Sequence, residues 1–211
     1  MMTVITGGSG SGKSAYAEDY IGDIAANSDH CNKYYIATMK VYDAEGQKKI
    51  DRHRRLRQGK GFITIEQPTD IEAILVTIKN PQNTNSNNSD FNLQVGGTII
   101  DNLNVTDVHS AALLECMSNL VANEMFTDDG NGNSRIVPAD IVCEKITNGI
   151  RRIKDTLDDL VIVTNNVFED GIEYDDTTME YIRAMGIVNQ RIAAMADHVI
   201  EVVVGIPVVI R

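Results

Sequence analysis

Residues Gly7-Gly8-Ser9-Gly10-Ser11-Gly12-Lys13-Ser14 decide how this chain folds. The octet fits G-x-x-x-x-G-K-[ST], the phosphate-binding loop. Thr3-Val4-Ile5-Thr6 ahead of it reads as a short buried strand. Ser14-Ala15-Tyr16-Ala17-Glu18 behind it reads as the first turns of a helix. Glycines let the backbone curl until successive N–H groups point inward at phosphate oxygens. The helix N-terminus adds a favourable dipole for the same anion. Lys13 is placed to reach the β- and γ-phosphates, and the Ser14 hydroxyl to ligate Mg²⁺. A Gly/Ser turn that merely joins strand to helix is the plainer reading; the strand before and the helix after favour the phosphate loop.

Working outward, the 211 residues suffice for one α/β domain with a sizeable core, and 43% hydrophobic with 23% charged residues is ordinary for a globular chain. There is no long unbroken apolar run, so no membrane span is expected. The chain enters its first strand without a basic-then-apolar leader, which predicts no secretion signal and a cytoplasmic location. Cys31, Cys116 and Cys143 are odd in number and unpatterned for zinc or disulfides, as suits a reducing compartment. The formal net charge of −11 argues against broad nucleic-acid binding. A protein this acidic that binds nucleotides must gather its cations locally.

Those cations are found in one place. Seven of the 19 basic residues fall between Lys48 and Lys60, and the stretch from Asp43 to Gly59 reads as a helix. Residues four apart share a helix face, so Glu45, Lys49, His53 and Arg57 form one stripe. His53 is thus a lone histidine among cations. A neutral imidazole can attack phosphorus, and flanking cations would stabilise the charged adduct. The plain alternative is a surface histidine on a solvated basic helix, and the helix pattern alone favours that alternative. A nucleic-acid patch is the third reading, opposed by the acidity and the lack of interleaved aromatics.

Further strands are expected at Lys33–Thr38, Phe62–Glu66, Ser110–Cys116, Leu160–Thr164 and, as a closing pair, Val199–Val204 with Val208–Ile210. Helices are expected at Lys13–Asn27, from a capped start at Thr69-Asp70, at Ser118–Phe126, from Pro138 to about Leu157, and from Met179 to Met195. Asp128–Ser134 reads as a loop. Thr98–Ile100 is apolar and of uncertain state. Asn83-Thr84-Asn85-Ser86-Asn87-Asn88-Ser89 is polar and of low complexity, which predicts a flexible insertion over about residues 80–96 of a single domain covering 1–211. Strand–helix alternation implies an α/β fold: a mainly parallel, phosphate-loop (RecA-like) sheet flanked by helices, with a closing antiparallel strand at the C-terminus. Glu115 ends the strand Ser110–Cys116, where a carboxylate can hold Mg²⁺ or its water; an ordinary strand-end acid facing solvent is the alternative. Tyr34 and Tyr35 read as core residues.

Five segments in order resemble the bifunctional adenosylcobinamide kinase / adenosylcobinamide-phosphate guanylyltransferase family of cobalamin biosynthesis. They are Val4 through Ser14; Tyr35-Ile36-Ala37-Thr38 with Asp43-x-Glu45, Ile50-x-x-His53 and Arg57; Thr64-x-Glu66-x-Pro68; Leu113-Leu114-Glu115-Cys116 with Asn123; and Val163-Thr164-Asn165 with Gly186-x-x-Asn189-Gln190-Arg191, Ala196-Asp197 and Gly205-Ile206-Pro207. The resemblance implies two reactions. A nucleoside triphosphate, GTP or ATP, phosphorylates adenosylcobinamide. GTP then guanylylates a histidine, which falls on His53, and the GMP passes to adenosylcobinamide phosphate. It further implies catalytic roles for Lys13 and Glu115, nucleotide contacts from the loop Gly7 to Ser14 and from Thr38, Arg57 and Glu66, Mg²⁺ at Ser14 and Glu115, and a homotrimer. The sequence departs from the family pattern at Asn165-Asn166, where an Asn-Glu pair is usual, and at Met179 to Arg183, where an Arg-Asp pair is missing or shifted. A single-activity relative and a GTP-binding module without catalysis are the competing readings.

Overall fold

The structure is a computed structural model that describes residues 1–28, 30–40, 44–79, 108–128, 134–167, 171–172 and 174–211. The insertion expected at about 80–96 and the run Thr98–Ile100 lie outside the described residues.

The expected alternation is present. The chain runs β1 (Met2–Thr6), α1 (Lys13–Ala26), β2 (Cys31–Ala37), α2 (Ala44–Arg57), β3 (Ile63–Glu66), a 3-10 turn (Ile71–Ala73), α3 (Ile74–Lys79), β4 (His109–Glu115), α4 (Met117–Met125), β5 (Phe126–Asp128), β6 (Ser134–Ile136), α5 (Ala139–Thr156), β7 (Asp159–Val163), α6 (Asp176–Met195), β8 (His198–Val203) and β9 (Ile206–Val209). Seven strands make one sheet in the order β3-β2-β4-β7-β1-β8-β9. Every neighbour pair in it is parallel except β8–β9. It is a phosphate-loop α/β fold: a mostly parallel sheet flanked by helices and closed by an antiparallel C-terminal strand.

The central strands are apolar on both sides because helices cover both faces. Alternate residues serve opposite layers. Ile5, Leu113, Val161 and Val163 pack with Ala17 and Ile21 of α1. Val4, Leu114 and Ile162 pack instead with Val142, Ile146 and Ile150 of α5 and with Met185, Val188 and Ile192 of α6. The strand ends are pinned by side chains. The Asp197 carboxylate accepts from the Met2 backbone N–H at 2.6 Å, and Asn123 donates to the carbonyls of Thr38 and Pro68 at 2.7 and 2.9 Å.

Two local expectations are corrected. Asp70 does not cap a helix with its side chain. It sits at φ 49° before the 3-10 turn, and its carboxylate pairs with Lys145 while its N–H donates to Glu124. Tertiary charge partners outcompeted the local cap. The helix expected to run to Phe126 is shorter and gives way to strands: α4 ends at Met125, and Phe126–Asp128 pairs antiparallel with Ser134–Ile136, while residues 129–133 of the expected loop lie outside the described residues. Strands of three residues are too short to show an alternation pattern.

Gly149 lies inside α5, where the 3-10 turn packs against it. A Cβ there would stand 2.8 Å from Ile71 Cγ2. Gly149→Ala gains about 1 kcal/mol of helix propensity but forces overpacking that costs ~1–3 kcal/mol. A net loss of ~1 kcal/mol is expected by urea denaturation; a stabilised variant would show that the turn yields freely.

Candidate functional site

The C-terminal ends of β1, β2, β4 and β7 face the same edge of the sheet, where α/β sheets bind ligands. The phosphate loop follows β1. Gly12 caps α1 at φ 91°, left-handed backbone that L residues with a Cβ avoid. A Cβ on Gly7 would meet the Val202 carbonyl oxygen at 2.6 Å, so only glycine lets β8 lie this close to the loop. The far side of the loop is held as well: the Gly205 N–H donates to the Ser11 carbonyl at 2.8 Å.

Lys13 and Ser14 are the first two residues of α1. Lys13 is buried, with 8% of its surface exposed, and its Nζ donates to the Gly8 carbonyl at 2.9 Å. Burial lowers its pKa from the ordinary value, with the charge of Glu115 opposing that shift. Glu115 is the hub of the site. Its Oε1 takes a short hydrogen bond from the Ser14 hydroxyl, and its Oε2 takes one from the Tyr35 phenol at 2.5 Å. Two hard oxygen donors, a hydroxyl and a carboxylate, thus converge in a polar pocket, a donor set that fits Mg²⁺.

Behind Tyr35 stands Arg57, whose guanidinium carbon lies 3.6 Å from the Tyr35 ring centroid. Arg57 is buried, yet its Nε finds no hydrogen-bond acceptor among the described residues. A buried guanidinium N–H without an acceptor is costly and suits an arriving anion. Lys13, Ser14, Tyr35, Arg57, Glu66 and Glu115 line one cavity of 370 Å³, with Ser9, Cys116 and Asn165 among its other walls. Burial raises the Cys116 thiol above its usual pKa, which disfavours the thiolate.

The residues expected from the sequence are therefore brought together unevenly. Ser9, Lys13, Ser14, Arg57, Glu66 and Glu115 share the cavity. Glu66 also pairs with Arg54 of α2. Gly8, Gly10 and Ser11 line a second cavity on the outer side of the loop. Thr38 lines neither cavity and is fully buried: its hydroxyl donates to the Cys116 carbonyl at 2.8 Å and accepts from the Cys116 N–H at 2.9 Å. His53 lies on α2, one turn before Arg57.

Sequence reasoning missed Tyr35 as a site residue. Its ring does belong to the core, but its phenol leaves the core to reach Glu115. The register carries the signal: Ala37 pairs with Glu115 and Tyr35 with Leu113, so a phenol stands two residues back from the acid on the adjoining strand. A polar network anchors β7 in the same way. Thr164 donates to Asn189 at 2.6 Å, Asn189 to the Asn165 carbonyl at 3.2 Å, and Asn165 to Ser118 at 2.7 Å.

A parallel sheet with a glycine loop after its first strand, a buried lysine and a strand-end acid on the loop's serine defines the phosphate-loop class of nucleotide-binding folds. Comparison with known proteins narrows the class. The chain belongs to the cobinamide kinase / cobinamide phosphate guanyltransferase family, whose model matches residues 3–86 and 92–210. Two relatives described as bifunctional adenosylcobalamin biosynthesis protein CobU, from Escherichia coli K12 and Salmonella typhimurium LT2, are each 28% identical over 216 residues, covering 100% of this chain and 100% of theirs. Among solved structures, an ATPase domain superposes with a TM-score of 0.48 at 13% identity, covering 95% of this chain and 68% of that one. Among the described residues no helix is long and apolar enough to cross a membrane.

Burial raises the Tyr35 phenol well above its ordinary 10.0, and the Glu115 charge adds to this. The folded pKa is the raised one, so the stability tied to this phenol is complete below about pH 10 and is lost as pH rises further. Tyr35→Phe keeps the ring under Arg57 and removes the donor. It is expected to cost ~1–2 kcal/mol at pH 7 and to unfold less steeply with pH above ~10. Urea midpoints against pH test this; parallel curves would detach Tyr35 from the alkaline transition.

Proposed function

We propose that this protein is a bifunctional enzyme that phosphorylates adenosylcobinamide and then converts adenosylcobinamide phosphate to adenosylcobinamide-GDP. The observation that carries the reading is the cavity in which Lys13, Ser14 and Glu115 meet Arg57, the residue one helical turn beyond His53. Membership of a family described by both activities supports it.

In the first reaction the alcohol oxygen of adenosylcobinamide attacks the γ-phosphorus of GTP or ATP. The bond from that phosphorus to the β-bridging oxygen breaks, the nucleoside diphosphate leaves, and the hydroxyl proton passes to solvent. The loop amides and Lys13 hold the β- and γ-phosphates in line and balance their charge. Ser14 and Glu115 would hold Mg²⁺, which would supply further charge neutralisation on the phosphate oxygens. Tyr35 keeps the Glu115 carboxylate aimed at Ser14.

In the second reaction an imidazole nitrogen of His53 attacks the α-phosphorus of GTP. A P–N bond forms, pyrophosphate leaves, and the imidazole proton goes to solvent. A phosphate oxygen of adenosylcobinamide phosphate then attacks the same phosphorus, the P–N bond breaks, and the His53 nitrogen takes back a proton from solvent as it leaves. Arg57 is the cation for the transferring group, and the orphaned Nε supports that role. The family resemblance extends the proposal to a homotrimer working in the cytoplasm. The strand β9 supports self-association: it ends the sheet with Val208, Val209 and the following Ile210 exposed at 43%, 70% and 61%. Such an edge is one that soluble chains usually cover or charge.

Two experiments test the reading. The protein is incubated with α-labelled GTP and Mg²⁺ and then denatured. Acid-labile, alkali-stable label is expected on the wild type and absent from His53→Ala. His53→Ala retains adenosylcobinamide phosphorylation, whereas Lys13→Ala loses both activities. Absence of label from the wild type removes the transferase, and loss of kinase in His53→Ala overturns the division of roles. For assembly, sedimentation of the wild type is expected to give a trimer, and Val209→Lys a smaller species; a monomeric wild type refutes it.

A further inference from the structure

The second cavity, of 770 Å³, opens on the outer side of the phosphate loop and is larger than the first, of 370 Å³. Its walls are the loop from Gly8 to Ser11, the segment after β7, the end of β8, and the first half of α6. Ser9 lines both cavities, and the adjacent Asn165 and Asn166 line one each. The two spaces therefore meet at one end of the loop. The smaller holds the phosphate-handling groups and has no room for a second, larger substrate.

The larger is lined by aromatic and branched apolar side chains, Tyr181, Ile182 and Val203 among them, with Thr178 and Glu201 as polar groups. Its rim is apolar and open to solvent, with Val203 46% and Val204 83% exposed. Val204 also has φ 45°, a left-handed conformation that a β-branched residue avoids. A two-residue turn with both φ positive, as at Val204 and Gly205, calls for Asn or Gly at its first position. Here a valine takes on that strain and leaves its side chain in water. The turn already braces the loop through Gly205, and an exposed, strained valine beside that brace at the mouth of a cavity points to a contact surface as well.

We propose that this cavity is the acceptor subsite. It takes a large, flat, partly apolar macrocycle with carboxamide arms, the corrinoid of both reactions, and delivers its terminal alcohol or phosphate across Ser9 to the nucleotide. The apolar wall covers the macrocycle face, and Glu201 and Thr178 accept from carboxamide N–H groups. This inference rests on the proposed function.

The test compares wild type, Val203→Glu and Val204→Asn in two assays: equilibrium dialysis of adenosylcobinamide followed by its visible absorbance, and labelling by GTP alone. Val203→Glu places a charge against the macrocycle and is expected to weaken corrinoid binding, and raise its KM in the kinase assay, about ten-fold or more. Labelling by GTP is expected to stay within about two-fold. Val204→Asn relieves the turn, so it raises the melting temperature while weakening corrinoid binding about three-fold. If corrinoid affinity holds and GTP labelling falls, the cavity serves the nucleoside and the proposal is overturned. If neither changes in folded variants, it is overturned too. Should Val203→Glu not fold, Val204→Asn decides by the same readouts. A wild type that labels with GTP but binds no adenosylcobinamide refutes the proposed function itself; a wild type that phosphorylates it normally, beside unaffected variants, refutes only the placement.

Discussion

The Glu115 carboxylate is the joint on which this molecule turns. It ends a strand near the centre of the sheet, and each of its oxygens is claimed by a hydroxyl from a different element: Ser14 from the first helix and Tyr35 from the neighbouring strand. A carboxylate drawn partly out of water needs such donors, because its desolvation is otherwise uncompensated. The same two bonds fix the direction of the helix that carries Lys13 and the side chain against which Arg57 lies. One acid thereby sets the relative position of the phosphate loop and of α2. Elements far apart in sequence become one site because a single negative charge has to be satisfied.

The cations follow a related logic. A chain with a net charge of −11 repels nucleoside triphosphates at long range. Any polyanion it binds gains attraction only in the last few ångströms, where partly buried charges are weakly screened. Lys13 and Arg57 are both buried and both line the smaller cavity. Arg54 and Lys60, on the exposed side of the basic stretch, are taken up by Glu66 and Glu18. The basic cluster seen in the sequence thus divides by burial. Its outer members tie α2 and the following turn to the body of the protein, and Arg57 faces inward.

Much of the fold could be read in the chain because its signals are local. The glycine loop, the two-faced apolar strand Leu160–Val163 and the 3–4 spacing of Val142, Ile146, Ile150 and Ile153 each state an element with no help from elsewhere. What stayed hidden depended on partners distant in sequence. Asp70 had the local credentials of a cap, and Lys145 removed it from that role. Tyr35 looked like a core aromatic, and only the pairing of β2 with β4 puts its hydroxyl on Glu115. Thr38 sits in a family segment, but the Cys116 backbone occupies its hydroxyl. The paired strands Phe126–Asp128 and Ser134–Ile136 were missed because they are too short to carry a period.

The hydrogen bond from Gly205 to the Ser11 carbonyl, and the contact of Val202 with Gly7, give the loop a dependence its sequence does not declare. The octet sits after the first strand, and the brace that holds it in shape sits at the turn between the last two. During vectorial synthesis the loop is therefore made early and finished late. A nascent chain, or one clipped before β8, carries the whole phosphate motif without the contacts from Val202 and Gly205 that brace it.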